Sequence, residues 1–566
     1  MIDALIAQRL QQLGLPEAVD VTAYPNVAVM IEHAITVHKD APAVSCMGQT
    51  LSFRQLDTYA DHFAAYLQQC TPLKAGDRIA LQLPNILQYP IAFLAAMRLG
   101  LIVVNVNPLY TINELNHQFR DADIQALVVL ANVAHTSAKV LQQLPVATVI
   151  VTEVADLHPW FKRTIIHTTM RYLKRMVPTF SFKHAVSFRQ ALRQGSTVNY
   201  KRPATTESDI AVLQYTGGTT GLPKGVMLTH SNLIANAQQV KPFLRGFVDG
   251  ADKSHVFIQP LPLYHIYAFT VNTALLLEGV PVVLIPNPRD LNALVNAMRK
   301  QPFMGFAGLN TLFVALCNHK GFRKLSFKHL QVTLSGGMAL TASVAKQWQH
   351  TTGCDISEAY GLSETSPAVT INPPNGNKLG TIGIPVPLTR IALHADDGSV
   401  ISTTNEPGEL CVHGPQVMKG YWRKQDATNK VLQDGWFHTG DIAMVDDDGY
   451  LRIVDRKKDM IVISGFKVYP NEIENTACEH PKVLEAAAIG IPSERTGESL
   501  CLFVVCDPNT TKPSQDELLA HFKQQLTAYK TPETIVFCDS LPKSNIGKVL
   551  RRQLRDTHMA TIGDSL

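Results

Sequence analysis

Between Tyr215 and Val226 the chain reads Tyr-Thr-Gly-Gly-Thr-Thr-Gly-Leu-Pro-Lys-Gly-Val, with four glycines, three threonines and one lysine in twelve residues. Glycines let backbone N–H groups turn toward an anion with no Cβ in the way. The hydroxyls of Thr216, Thr219 and Thr220 add donors, and Lys224 adds a positive charge suited to a terminal phosphate. The order is not that of a Walker loop, in which Gly-Lys-Ser/Thr follows four residues after a glycine. Here the lysine precedes its glycine, as Lys224-Gly225. Residue types alone fit either a phosphate loop of another kind or a mobile turn.

Two further stretches have unusual chemistry. From Val256 to Leu277 there is no Asp, Glu, Lys or Arg, although Gln259, His265 and Asn272 are present. Pro260 and Pro262 argue against a membrane-spanning helix and for a buried core segment. A histidine in such surroundings is either a satisfied core residue or a ligand to something bound. From His158 to Gln194 there are eight Lys/Arg residues and no acid, with Trp160, Phe161, Ile165, Tyr172 and Met176 near helical spacing beside them. That pattern fits an interfacial amphipathic helix drawn to anionic lipid, and equally a surface helix with a core-facing stripe. A peripheral membrane contact through Trp160–Arg175 is one expectation.

The elements that must position these residues alternate along the first half. Asp77–Pro84, Leu101–Pro108 and Ala126–Asn132 read as strands, Tyr89–Gly100 as a helix stopped by glycine, and Ile210–Gln214 as the strand before the glycine-rich loop. Such alternation argues for parallel α/β architecture. Shorter strands with turn signals follow in Arg390–Ile401, Gly408–Gly414 and Gly449–Asp455, as expected of a β-rich, barrel-like subdomain. The pattern restarts after Asp455-Arg456-Lys457-Lys458-Asp459. The expected organisation is a large N-terminal part, residues 1–455, made of two α/β subdomains and the β-rich one. A boundary at 456–459 then leads to a small α+β C-terminal domain at 460–566.

The bulk numbers agree with a globular protein: 566 residues, 46% hydrophobic and 17% charged. A net charge of +4 is too small to argue for a nucleic-acid partner. Nine cysteines without a C-x-x-C pair suit reduced thiols. The first residues lack a secretory pattern, and the terminal Gly-Asp-Ser-Leu is neither a peroxisomal nor an ER-retention address, so a cytoplasmic location is expected, with peripheral attachment to the cytoplasmic membrane face.

The order TGGTTG-x-PKG is specific enough to carry a resemblance. It resembles the signature loop of the adenylate-forming superfamily, which includes acyl-CoA synthetases, luciferases and amino-acid adenylation domains. Further motifs follow in order. Pro262–Phe269 is similar to the acid-substrate motif of that superfamily, and Leu334–Met338 and Glu358–Pro367 to its adenine and metal motifs. Gly435–Asp441 resembles the ribose motif, Val454–Glu474 the hinge and the loop after it, and Leu541–Arg552 the catalytic-lysine motif. The segments NILQYP, VVNVNPLYT and GPQVMKGYW look closest to bacterial long-chain fatty acid–CoA ligases.

The resemblance implies a two-step reaction: a carboxylate is joined to AMP with loss of pyrophosphate, then displaced from AMP by the CoA thiol. It implies an ATP site formed by Thr216, Gly217, Gly218, Thr219, Thr220, Gly221 and Lys224, with Gly336 and Gly337 close to the base. Tyr360 would lie flat against adenine, with Gly361 and Thr365 in the same motif, and Asp441 and Arg456 would hold the ribose. Glu364 would anchor Mg2+, a cation that takes one or two carboxylates besides phosphate oxygens and water. His265 would sit beside the acyl carboxylate and Phe269 at an aromatic gate. Lys548 would reach the carboxylate and α-phosphate, Lys458 would be the hinge residue, and Gly465 and Lys467 would face CoA. An amino-acid substrate would need an acid near His265, and none is present. An apolar tail of about fifteen methylenes would gain up to ~12 kcal/mol on burial. The implied activity is ATP-dependent formation of long-chain acyl-CoA. An aryl or medium-chain acid–CoA ligase, a fatty acyl-AMP ligase and an inactive membrane-associated lipid-binding homologue are the alternatives, and a homodimer is left open.

Overall fold

The computed structural model describes residues 2–216, 223–249, 252, 254–493, 495–508, 510–543 and 549–563. Its first large sheet has eight strands, in the order Gly420–Tyr421, Lys224–Thr229, Ile210–Thr216, Ile102–Asn105, Arg78–Gln82, Ala126–Leu130, Thr148–Thr152, Ala185–Ser187. From Ile210–Thr216 to Ala185–Ser187 every pairing is parallel, as the alternation predicts. The glycine-rich loop closes an antiparallel pair on this sheet, with Thr216 opposite Lys224.

The second sheet has nine strands and runs parallel from Ile356–Gly361 through Val332–Gly336, Phe303–Gly308, Val256–Gln259 and Val282–Leu284 to Pro42–Cys46. Helices Val27–His38, Phe53–Gln69, Gln88–Arg98, His230–Val248 and Ile266–Leu277 share one hydrophobic core with residues of both sheets. Every residue of Gln88–Arg98 is buried; its middle is apolar on all sides, and the polar Gln88 and Arg98 at its two ends are both partnered. The uncharged stretch Val256–Leu277 becomes a buried strand and a buried helix, Ile266–Leu277.

The third sheet is an antiparallel, curled, barrel-like set of six strands that includes Arg390–His394, Gly408–His413, Trp436–Val445 and Leu451–Arg456. Its core takes in Ile2, Ile6 and Leu10, one face of the first helix. The C-terminal part is an α+β unit built on the long hairpin Val483–Ser493 and Gly497–Cys506. Its other elements include strand Thr534–Phe537 and helices Pro470–Glu479 and Gln515–Gln525.

The basic segment differs from a single amphipathic helix. Trp160–Thr168 is α-helical, Thr169–Leu173 is a wider turn, and a new helix, Phe188–Gly195, follows a short strand. Ile166 and Met170 face the core, whereas Trp160, Ile165, Tyr172 and Leu173 are 64–78% exposed. The predicted stripe therefore points outward. No helix among the described residues is long and apolar enough to cross a membrane.

Candidate active site

The site lies where the ends of the two large sheets meet the curled one. Strand Ile356–Gly361 carries Glu358 and Tyr360 at alternate positions, so both project to one face. The chain then turns sharply. A Cβ on Gly361 would fall 1.9 Å from the Pro367 carbonyl oxygen, so only glycine fits there. Thr365 is fully buried, and its Oγ1 donates to the Pro367 carbonyl at 2.5 Å while accepting from Leu362 N at 3.0 Å. Its hydroxyl therefore holds the turn that presents Glu364.

Glu364 is half-buried, and its Oε1 accepts from the Tyr421 hydroxyl at 2.8 Å. The Lys224 ammonium sits 4.8 Å from the centre of the Tyr421 ring. One aromatic side chain thus links the lysine after the glycine-rich loop to the carboxylate. Burial raises the Glu364 carboxyl above its ordinary range, while the Tyr421 hydrogen bond and the charges of Arg456 and Lys224 pull it back. No group of three or more His, Cys, Asp and Glu side chains placed to hold a metal ion occurs among the described residues. A single, partly enclosed carboxylate fits Mg2+ that takes its remaining ligands from phosphate and water.

Asp441 lies on the strand Trp436–Val445 directly opposite Arg456. It is 2% exposed. Its Oδ1 is 2.6 Å from Arg456 Nε, and its Oδ2 accepts from the Tyr360 hydroxyl at 2.5 Å. Thr439 Oγ1 accepts from the Asp441 N–H at 3.0 Å and fixes the backbone there. Tyr360, Asp441 and Arg456 therefore form one connected polar group, and Arg456 also acts electrostatically on Glu364. Gly336 ends the strand Val332–Gly336, and Gly337 follows at φ +83°. A Cβ on Gly336 would meet both the Ala359 carbonyl and the Tyr267 ring at 3.2 Å.

His265 caps the helix Ile266–Leu277, its Nδ1 accepting from the Tyr267 N–H at 3.4 Å. The segment before it is held by two residues of NILQYP. Asn85 Oδ1 accepts from Leu263 N at 2.7 Å, and the Tyr89 hydroxyl donates to the Leu263 carbonyl at 2.9 Å. One turn further along the helix, Phe269 is buried edge-on to Phe93. It stands between two narrow clefts. One, closed by its own side chains, is bordered by Val27, Met30, Leu233 and Ala237; the other, with free room of about 20 Å³, by Ile31, Leu56, Phe93, Leu94 and Leu276. Neither cleft has a charged residue in its lining.

Strand Leu451–Arg456 ends in the turn that carries Lys458. Asp455 is fully buried there, its Oδ2 accepting from Asn471 N at 2.7 Å, in the first turn of helix Pro470–Glu479. Burial pushes its carboxyl up to about 6. Ser464 (φ +51°) and Gly465 (φ +85°) make the tight turn of the hairpin Ile461–Ile463 and Phe466–Val468. Lys467 on that hairpin is salt-bridged to Asp396 on the curled sheet.

Thr216, Lys224, Gly336, Gly337, Tyr360, Gly361, Glu364, Asp441 and Arg456 thus sit around one region, with His265 and Phe269 at the head of the apolar clefts. Gly465 and Lys467 lie apart, beside Asp396. Gly217, Gly218, Thr219, Thr220, Gly221 and Lys548 are outside the described residues. Sequence reasoning did not single out Tyr421, Asn85 or Tyr89, although all three lie inside segments that carry the resemblance. It also passed over Glu358, whose carboxyl burial raises to about 8 and which accepts from Leu340 N at 3.2 Å.

Comparison with known proteins gives a consistent result. Residues 31–422 match the profile of the AMP-binding enzyme family, and residues 472–548 that of its C-terminal domain. A long-chain-fatty-acid–CoA ligase of Salmonella typhimurium is 47% identical over 545 residues, 96% of each chain. One of Haemophilus influenzae is 47% identical over 549 residues, 97% of each. The crystal structure of ATP-bound MatB from Rhodopseudomonas palustris superposes with a TM-score of 0.80 at 27% identity, covering 94% of this chain and 99% of that one.

Proposed function

Since this chain belongs to the AMP-binding enzyme family, we propose that it converts long-chain fatty acids to acyl-CoA through an acyl-adenylate, with ATP and CoA as co-substrates. In the first step a fatty-acid carboxylate oxygen attacks the α-phosphorus of ATP and pyrophosphate leaves. In the second the CoA sulfur attacks the acyl carbonyl carbon, its proton is lost and AMP leaves.

Both partners of the first step are anions, so alignment and charge neutralisation carry most of the rate. Tyr360 supplies a flat face to the adenine ring. Asp441 accepts from the ribose hydroxyls, and Arg456 keeps its carboxylate aimed and ionised. Gly336 and Gly337 leave room for the base. The loop Thr216–Lys224 gathers the β- and γ-phosphates, with Lys224 steadied over Tyr421. Mg2+, held by Glu364, would neutralise phosphate charge. His265 orients the acyl carboxylate, and Lys548, three residues before Arg551, reaches it and the α-phosphate. Thr365, counted with the nucleotide residues by the resemblance, contributes through the turn it holds.

One observation carries the choice of acid: the two gaps beside Phe269 are buried and uncharged, so a chain that parts their lining meets no ionised group. A hydrocarbon tail suits them, and an ammonium group has no carboxylate there to pair with. The test is ATP- and CoA-dependent thioester formation across C4 to C18 fatty acids and a panel of aryl acids. Highest kcat/KM at C12 to C18 is expected; a maximum on aryl or C4 to C6 acids would overturn the reading.

The residues Lys458, Gly465 and Lys467 support a division of the chain at 456–459, about which residues 460–566 turn between the two steps. A peripheral membrane contact is supported by the outward-facing Trp160, Ile165, Tyr172 and Leu173 beside Lys174 and Arg175. Co-sedimentation with anionic phospholipid vesicles should weaken when Lys174 and Arg175 are both changed to Glu. Unchanged co-sedimentation would refute the contact.

A further inference from the structure

The helix Ile266–Leu277 carries a buried polar side chain that the reaction above leaves without a role. Asn272 is 7% exposed, and its Oδ1 is buried with no hydrogen-bond partner. It borders the larger apolar cleft, together with Phe93, Phe269, Thr273 and Leu276. A buried amide carbonyl without a donor destabilises a fold, and leucine would fill the same place with no such penalty. Thr273 adds to the oddity. Its hydroxyl proton goes to the Phe269 carbonyl at 2.9 Å, so the oxygen it presents is an acceptor too. Two hydrogen-bond acceptors therefore border a cleft otherwise suited to hydrocarbon.

The spacing says where along an acyl chain they act. His265, Phe269 and Asn272 are related by four and three residues, which places them on one face of the helix. Seven residues at a rise of about 1.5 Å put Asn272 about 10 Å deeper than His265 along the axis. With the carboxylate at His265, that depth meets an extended chain at roughly carbons 8 to 10, taking ~1.2 Å of advance per bond.

We propose that the acyl cleft takes fatty acids bearing a mid-chain hydroxyl, whose O–H donates to Asn272 Oδ1. The inference rests on the long-chain acyl reading above and adds a recognised functional group to it. A saturated chain that parts the same lining is held by apolar contact alone. The hydroxylated one also supplies the donor that the Asn272 carbonyl lacks. No bond is made or broken at this position, so the effect is one of selection between acids.

The test uses the full-length protein and measures kcat/KM for acyl-CoA formation from hexadecanoate, its 9- or 10-hydroxy derivative and its 3-hydroxy derivative. In the unaltered protein the mid-chain hydroxy acid should be preferred over the 3-hydroxy isomer. In Asn272→Leu the ratio of kcat/KM for the mid-chain hydroxy acid to that for hexadecanoate should fall about tenfold or more. The same change should raise Tm, because it removes the orphaned carbonyl. Asn272→Ala provides the same ratio should the leucine variant fail to fold. An unaltered ratio in the variants, with hexadecanoate turned over normally by the parent protein, would overturn the inference alone and assign Asn272 to a bridging water. Absence of thioester from every acid would overturn the long-chain reading, and this inference with it.

Discussion

The nucleotide side and the acyl side of this site are built on opposite plans. On the nucleotide side the charged and polar groups named above that the structure describes are linked: Lys224 over Tyr421, Tyr421 on Glu364, Tyr360 and Arg456 on Asp441. On the acyl side the lining is mostly hydrocarbon and uncharged, and the Asn272 Oδ1 beside it has no hydrogen-bond partner. A connected polar group is preorganised for one ligand, since its members hold each other at fixed geometry. An apolar cleft selects only by length and shape, apart from the few polar atoms left in it. The contrast separates what is common to the chemistry from what is particular to the acid.

The sharpest way to break that contrast is Lys548→Ala. It should lower adenylate formation by at least about a thousandfold while leaving thioester formation from supplied acyl-adenylate within a fewfold. Equal loss of both half-reactions would remove Lys548 from the first step.

A smaller effect is expected of Tyr421→Phe. The Tyr421 hydrogen bond pulls the Glu364 carboxyl down against burial. Without it the carboxyl rises further, less of it is ionised near neutrality, and the acid limb of kcat/KM moves to higher pH. A move of one pH unit makes about a tenfold loss on that limb and little on the plateau. An unmoved limb would mean that Tyr421 does not act through Glu364.

The smallest change in rate, though not in specificity, should come from Phe269→Ala. Joining the two clefts should move the preferred acyl length by two or more carbons, read as kcat/KM across C8 to C18. The same length profile in both proteins would show that Phe269 is core packing and no gate.

Much of this was legible in the chain. The parallel strands were readable because buried strands are continuous apolar runs, and the curled sheet because its strands are short and punctuated by turns. Glu364, Asp441 and Arg456 came through motif order. Tyr421 did not, since it reaches Glu364 across 57 residues of sequence, and nothing local in Gly-Tyr-Trp announces a hydrogen bond to a carboxylate. Asn85 and Tyr89 were hidden for the same reason: Leu263, which both hold, lies more than 170 residues downstream. The basic segment was legible only in part. Its spacing left open which way the apolar stripe faces, and the structure turns Ile166 and Met170 to the core and Trp160, Ile165 and Tyr172 outward, with a wider turn after Thr168.

Asp455 has a mechanical consequence. Its carboxylate stoppers the start of the helix Pro470–Glu479 from the other side of the 456–459 turn. Any swing of the C-terminal part about that turn would draw the Asn471 N–H away and leave a donor bare, at a cost of about 1–3 kcal/mol until water or another acceptor reaches it. A joint at that turn, as proposed above, would have a detent as well as an axis. Because burial lifts the Asp455 carboxyl to about 6, protonation below that pH weakens the catch, and acid should make the C-terminal part swing more readily.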